Sequence, residues 1–466
     1  MQTHATFGRW NFGAVDLGDQ RRTDRLVCLV DALCRHPGGT LPDKLNQPAD
    51  LRAFYRLMHR PEVTHAVLMR SHADATRASI AALGTGVVLI VHDATELDYT
   101  TKTTVREQLG QIGQGTHRGY ICHNSLAIRA DTGAVLGLTA QILHHRADVP
   151  KKETLKHKRE RDSRESRLWL QGAAASGPAP AGVQCVDISD TLSDTFEYMA
   201  YEIGQQRHFV LRAREDRKLV ETVMGERYLF AAVRALAPQG QRTLHVQQTS
   251  GRRARTTTVH VAFTPVQLAP PGKDHGHYPK VPLALWAVRV WEPNTPAGED
   301  PLEWILLTNV PAACRADAEE RLDWYEHRPI VEELHKGMKT GCSIESLHFM
   351  TIDRLEPAIA VLSAVTTTLL RLRDAARAPD AATRPATEVI GADYVEALVA
   401  HYGKRLGATP TVLQFYLHVA RLGGHQNRKC DGFPGWLTLW RGWTRLQAMV
   451  DGYHAALKSR DRCGTN

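Results

Sequence analysis

The densest run of chemically capable residues is Tyr325–Lys339, YEHRPIVEELHKGMK. From Pro329 onward, at 100° per residue, Ile330, Val331, Leu334 and Met338 share one helical face, and Glu332, Lys336 and Lys339 share the opposite one. Proline lacks a backbone N–H and belongs at a helix start. This puts Glu332 in the first turn, where a carboxylate is electrostatically favoured. Tyr325 and Arg328 stand just ahead of it. Glutamate ligates hard divalent cations, lysine and arginine bind phosphate, and tyrosine hydrogen-bonds phosphate or stacks on a base. The mixture suits a metal-dependent phosphodiester site; the same spacing also describes a solvated amphipathic helix.

Such a site needs further carboxylates held by a rigid frame. Gly86–His92 is a short apolar, β-branched run that reads as a buried strand, with Asp93 at its end. Val183–Ser189 is another, ending at Asp190 and followed by a helix from about Ser193. Glu96 and Asp98 compete with Asp93, and Asp187 with Asp190, although Asp187 lies inside its strand. Cys122–Ile128 and Ala134–Leu143 flank Asp131-Thr-Gly133 as a hairpin, and His208–Arg212 and Trp304–Thr308 extend the sheet. Between these last two, Thr243–Gln248, Thr256–Phe263 and Leu283–Trp291 are strand-like runs separated by Gly/Pro-rich turns. They form a β-rich insertion at about 215–303 that accounts for the long gap between Asp190 and Glu332. Asp93, Asp190 and Glu332 together make an oxygen-rich set for two Mg²⁺ or Mn²⁺ ions, whereas Glu333 points about 100° away from it.

The order Tyr325, Arg328, Glu332, Lys339, continued through Lys336, Thr340 and Gly341, resembles the tyrosine–arginine–glutamate–lysine motif of bacterial DDE transposases of the insertion-sequence four family, which includes the transposase of composite transposon five. HDATELDYT and HRGYICHNSLAI resemble that family's first catalytic block, with Asp93 as its aspartate. ISDTLSDTFEYM resembles the second, with Asp190 and then Asp194, although Thr191 and Leu192 replace the usual arginine and glutamate. Pro329 also departs from the bulky residue expected after the arginine.

The resemblance implies an α/β fold: an RNase H-like catalytic core, a mixed sheet with flanking helices, over residues 71–375, interrupted by the β-rich insertion. A helical end-binding domain over 1–70 and a helical dimerisation region over 376–466 would flank it. It implies cut-and-paste transposition through nicking, hairpin formation and strand transfer, by a homodimer acting on double-stranded DNA. Tyr325, Arg328, Lys336 and Lys339 would hold the strand near the cleavage site, and Trp304 would hold a flipped base. A catalytically silent DNA-binding descendant and an RNase H-like nuclease are the rival functions.

The remaining sequence fits these expectations. Among 466 residues, 43% are hydrophobic and the net charge is +8, which favours a polyanionic partner. Arg146–Arg167 holds nine Lys/Arg against five Asp/Glu, and a helix is expected over Lys151–Trp169. The N-terminal segment should form helices over Leu26–Leu33 and Ala49–Met58, offering Arg21, Arg22, Arg25, Arg52, Arg56 and Arg60 to phosphate. LGDQRRTDRL and AFYRLMHRPEVT resemble the same family's end-binding domain. Eight scattered cysteines without a CxxC pair support neither a disulfide framework nor a zinc ribbon, and His275 and His277 lack ligand-spaced partners. With no secretory h-region or uninterrupted apolar span visible, a cytoplasmic protein is expected. Helices are expected over Ile359–Arg373 and Tyr394–Ala420, joined by a Pro379–Pro385 linker, and Trp436, Trp440 and Trp443 are spaced for packing on one helix face.

Overall fold

The computed structural model describes residues 6–146, 163–246, 255–272, 278–428 and 432–463. Its strands are β1 (Gly86–Asp98), β2 (Gly110–Gln111), β3 (Arg118–Arg129), β4 (Val135–His144), β5 (Val183–Ser189), β6 (His208–Arg212), β7 (Lys218–Val223), β8 (Glu226–Tyr228), β9 (Gly240–Val246), β10 (Arg255–Leu268), β11 (Leu283–Trp291) and β12 (Glu303–Thr308). They form one mixed sheet, ordered β2-β3-β1-β5-β6-β12-β11-β10-β7-β8, with β4 beside β3 and β9 beside β10. The pairs β1–β5 and β5–β6 are parallel; β3 and β12 join them antiparallel.

The centre of the sheet follows from the apolar run of β1. Val88, Leu89, Ile90 and Val91 are buried because the strand has neighbours on both edges and packed elements on both faces. The strand does not end at His92, as the apolar run implied. Pairing with β5 stops at His92 opposite Ser189, but antiparallel pairing with β3 continues to Asp98. Asp93 and Asp190 are therefore each the first residue beyond the last parallel pair, on neighbouring strands. After Asp190 comes a single 3-10 turn, Thr191–Ser193, and the helix begins at Phe196 rather than Ser193.

The strands between β6 and β12 do not form a separate layer. β11 pairs with β12 and β10 with β11, so the sheet is prolonged at that edge. The β7–β8 hairpin and a short helix, Leu229–Arg234, were not legible as such in the sequence.

Glu332 is carried on the helix Pro329–Lys336, which begins at its proline and packs its apolar face, Ile330, Val331 and Leu334, into the same core as Leu89 and Val91. The α-helix then widens into a π turn, Gly337–Gly341, instead of running regularly through Lys339. Next comes Ile352–Leu369, which starts a full two turns before the expected Ile359 and continues as Arg371–Arg377. By composition the stretch 352–377 could cross a membrane, yet 78% of its apolar window is buried inside the protein, where it forms the central helix of the core.

The N-terminal helices, chiefly Gln20–Arg35, Pro48–Met58 and His65–Ala81, pack on that central helix. Leu26 and Phe54 belong to one apolar cluster with Leu89, Val331 and Ile359. Asp19 caps the first of these helices on the Arg21 N–H, and Thr64 caps the last on Val67. At the other end of the chain, the periodicity over 394–420 divides into two helices, Ala392–Tyr402 and Val412–Leu422. Gly403 and Gly407, both at positive φ, and Pro410 break it. Val412–Leu422 crosses the last helix, Trp436–Cys463, at Gly423 and Gly442. A Cβ on either glycine would fall 1.8 Å from a carbonyl oxygen of the opposing helix. Trp436 and Trp440 stack at 5.8 Å inside the core, and Trp443 stacks on Tyr394 at 5.0 Å. Most of the expected Lys151–Trp169 helix, and His275 and His277, lie outside the described residues; the helix present begins at Leu168.

Candidate active site and nucleic-acid interface

Asp93, Asp190 and Glu332 lie more than 90 residues apart in sequence but meet at one guanidinium. Arg328 Nη2 donates to Asp93 Oδ2 at 3.0 Å and lies 3.7 Å from Asp190 Oδ2, while Nη1 contacts Glu332 Oε1 one turn along. The positions are fixed locally. The Ala94 N–H donates to Asp93 Oδ1 at 2.9 Å, and Asp190 caps its 3-10 turn by accepting from the Leu192 N–H at 3.0 Å. Glu333 turns away and pairs with Arg373 at 2.5 Å.

The electrostatics follow from burial. Asp93 is 7% exposed, and loss of water pushes its carboxyl up to about 6 against the opposing pull of Arg328; Asp190 and Glu332 add to the rise. Burial also raises Asp190. Burial alone would depress the Arg328 guanidinium, but the carboxylates around it outweigh that and leave it above its ordinary value. Three carboxylates face one fixed cation, so the cluster keeps a deficit of positive charge.

The donor set is hard, anionic and oxygen-only, which fits Mg²⁺ or Mn²⁺. Its present arrangement does not converge on a shared point, and no three His, Cys, Asp or Glu side chains among the described residues are placed to hold one ion. Arg328 stands where convergence would occur.

The competing carboxylates have other partners. Asp187 is fully buried, accepts from Arg207 at 2.7 Å and hydrogen-bonds His92 Nε2 at 2.6 Å; these two hold it below the usual carboxylate range although burial opposes them. Glu96 accepts from the Gly113 N–H, and Asp98 pairs with His117. Asp194 accepts from the Arg214 and Glu215 N–H groups and pairs with Arg217 at 2.7 Å, tying the loop after β6 to the turn after Asp190.

Beside the cluster is a cleft of about 300 Å³ lined by Trp304, Tyr325, Arg328, Pro329, Arg212 and His245. Trp304 meets Tyr325 edge to face at 5.7 Å, and burial pushes the Tyr325 phenol up to about 12. Lys336 projects into solvent, whereas Lys339, displaced by the π turn, lies 3.7 Å from Glu345. Sequence reasoning did not find Arg212, His245 or the buried His92–Asp187–Arg207 chain. Each has partners distant in sequence, and no local spacing signals such a partnership.

The arginines of the N-terminal helices form a second charged region. Arg21, Arg22, Arg25, Arg52, Arg56 and Arg60 line one open groove between Gln20–Arg35 and Pro48–Met58. Arg22 pairs with Glu62 and Arg25 with Asp50, whereas Arg21, Arg52, Arg56 and Arg60 are exposed and carry no ion pair among the described residues. Arg52 and Arg56 lie one turn apart on Pro48–Met58, and Arg60 follows just past the end of that helix.

Residues 4–63 match the family model for transposase DNA-binding. The match covers the helices that build the arginine groove, and it supports a transposase that binds DNA.

Proposed function

We propose that the protein is a cut-and-paste DDE transposase of the insertion-sequence four type. In this reading it binds element ends through the N-terminal arginine groove, cleaves them by way of a hairpin intermediate and joins the 3′ ends to target DNA. The observation that carries the catalytic part is the meeting of Asp93 and Asp190, one residue past the last parallel pair of β1 and β5, with Glu332 around Arg328. Asp93, Asp190 and Glu332 would hold two Mg²⁺ or Mn²⁺ ions, which when bound activate a water or 3′-hydroxyl and stabilise the departing oxygen.

The protein's own groups do the rest. Arg328 and Lys336 supply charge for the scissile phosphate and its neighbours, Lys339 adds to it from the π turn, and the partly apolar cleft lined by Trp304 and Tyr325 would receive an unstacked base. Arg21, Arg52, Arg56 and Arg60, exposed and without an ion pair among the described residues, meet the duplex, so end binding and chemistry rest on separate residues. A homodimer joining two ends through the helical C-terminal region, working on cytoplasmic, nucleoid-bound DNA, completes the proposal.

The test is incubation of purified protein with a duplex carrying the inverted repeat that flanks its gene, with Mg²⁺ and a target plasmid. The expected products are nicked ends, hairpins and joined molecules. A shifted duplex that is never cut would support a silent DNA-binding descendant, and cutting without joining would support a nuclease.

A further inference from the structure

The placement of Arg328 has a consequence for how the carboxylates become available. Its side chain touches Asp93, Asp190 and Glu332 at once, yet its Nε is buried and has no hydrogen-bond partner among the described residues. A buried donor left unsatisfied is costly, so the arrangement around this guanidinium is incomplete. The same side chain borders the cleft containing Arg212 and Tyr325, where it has space to turn. Arg328 is also the cap residue of the glutamate helix, so rotation of its side chain leaves the backbone that places Glu332 undisturbed.

We propose that Arg328 acts as a resident stand-in cation: it occupies the carboxylate cluster of the DNA-free protein and must swing toward the cleft before a divalent cation binds there. This inference rests on the reading of Asp93, Asp190 and Glu332 as metal ligands. The guanidinium and the metal compete for the same oxygens, while a DNA phosphate and the carboxylates compete for the same guanidinium. Phosphate and metal therefore assist each other, and by linkage the effect is reciprocal. The protein is held without its metal until nucleic acid draws Arg328 away.

The experiment is Mn²⁺ titration of the full chain, followed by electron paramagnetic resonance of free Mn²⁺, without DNA, for the wild type, Arg328→Met and Arg328→Lys. Methionine keeps much of the side-chain bulk and removes the charge; lysine keeps a charge but loses the fork. The expected result is at least tenfold tighter Mn²⁺ binding in Arg328→Met, an intermediate gain in Arg328→Lys, and at least tenfold tighter binding by the wild type when a random-sequence duplex is added. Melting curves with and without Mn²⁺ should show Arg328→Met less stable than the wild type alone and more strongly stabilised by the ion.

A double variant, Arg328→Met with Asp93→Asn, separates the two levels of the argument. If it loses Mn²⁺ binding while Arg328→Met binds no tighter than the wild type, the carboxylates hold the metal and the stand-in role is overturned. If it binds as well as Arg328→Met, the ion is not at these carboxylates, and the metal reading falls with the inference built on it.

Discussion

Arg52 and Arg56 on one helix, and Arg60 just past its end, stand exposed with no acidic partner among the described residues, whereas the Arg328 side chain is 19% exposed and touches three carboxylates. The difference is one of solvation. On the N-terminal face water already stabilises each guanidinium, so the row needs no particular partner and can meet any backbone of phosphates by releasing counterions. Beside Asp93 water is largely excluded, so a cation there must be matched by specific anions and its removal exposes their repulsion. In the proposed function the first region serves tolerant attachment to DNA and the second a specific exchange of partners.

That contrast breaks most visibly under substitution of the cluster. Asp93→Asn or Glu332→Gln should lower cleavage by on the order of 100-fold to 1000-fold, the scale for losing one preorganised charged group, with duplex binding retained. Cleavage time courses beside gel-shift titrations check this; binding that falls in parallel would mean the two regions are not separate in function.

A pH effect tests whether the regions are separate in stability. His72 joins the N-terminal helices to the sheet: its Nδ1 bonds Asn11 at 2.7 Å, and its Nε2 accepts from the Leu138 N–H at 3.1 Å. Burial, helped by Arg371, brings its imidazole down to about 4. Because the folded value lies below the ordinary 6.5, the contribution of neutral His72 is fully present above pH 6.5 and is lost as pH falls toward 4, about 3 kcal/mol in all. Thermal melts at pH 7 and 4.5 should fall more steeply for the wild type than for His72→Gln. Asp93 works in the opposite sense over part of this range. Its raised carboxyl takes up a proton in the folded state as pH drops below about 6, so the comparison must be made against the variant and not from the wild type alone.

Trp304→Ala sharpens the picture of the cleft. Loss of a stacking platform is worth roughly 1–3 kcal/mol, or about tenfold to a hundredfold, on hairpin formation with first-strand nicking preserved. Equal slowing of both steps with a lowered melting temperature would make Trp304 a packing residue against Tyr325. The smallest effect is expected at the surface. Arg56→Ala should reduce the slope of log binding constant against log salt by about 0.9 per phosphate contact removed, without changing cleavage once DNA is saturating. An unchanged slope would remove Arg56 from the interface.

Several elements were legible because their cause is local. Pro329 marks a helix start whatever surrounds it, and the apolar face of that helix is buried as its spacing requires. The strand β5 runs Val183–Ser189 and β11 runs Leu283–Trp291, as their apolar runs indicate. Where local signals mislead, a partner elsewhere decides. β1 continues past Asp93 because β3 continues beside it, the regular periodicity of 394–420 is cut by two glycines at positive φ and a proline, and Lys339 is displaced by a π turn that no side-chain pattern announces.

The sequence by itself determined the ingredients: two aspartates after buried-strand runs, a glutamate in a first helical turn, an arginine row every four residues, and the match of residues 4–63 to transposase DNA-binding. Periodicity and capping are short-range consequences of side-chain shape and backbone hydrogen bonding, so they survive without the fold. Only the tertiary structure decided which carboxylates meet. It locked Asp187 onto His92 and Arg207, turned Glu333 to Arg373, and set Arg328 among Asp93, Asp190 and Glu332. The physical reason is that charge partnerships fall off with distance in space and not in sequence. The register of two parallel strands and the docking of one helix therefore fix what no spacing along the chain can express.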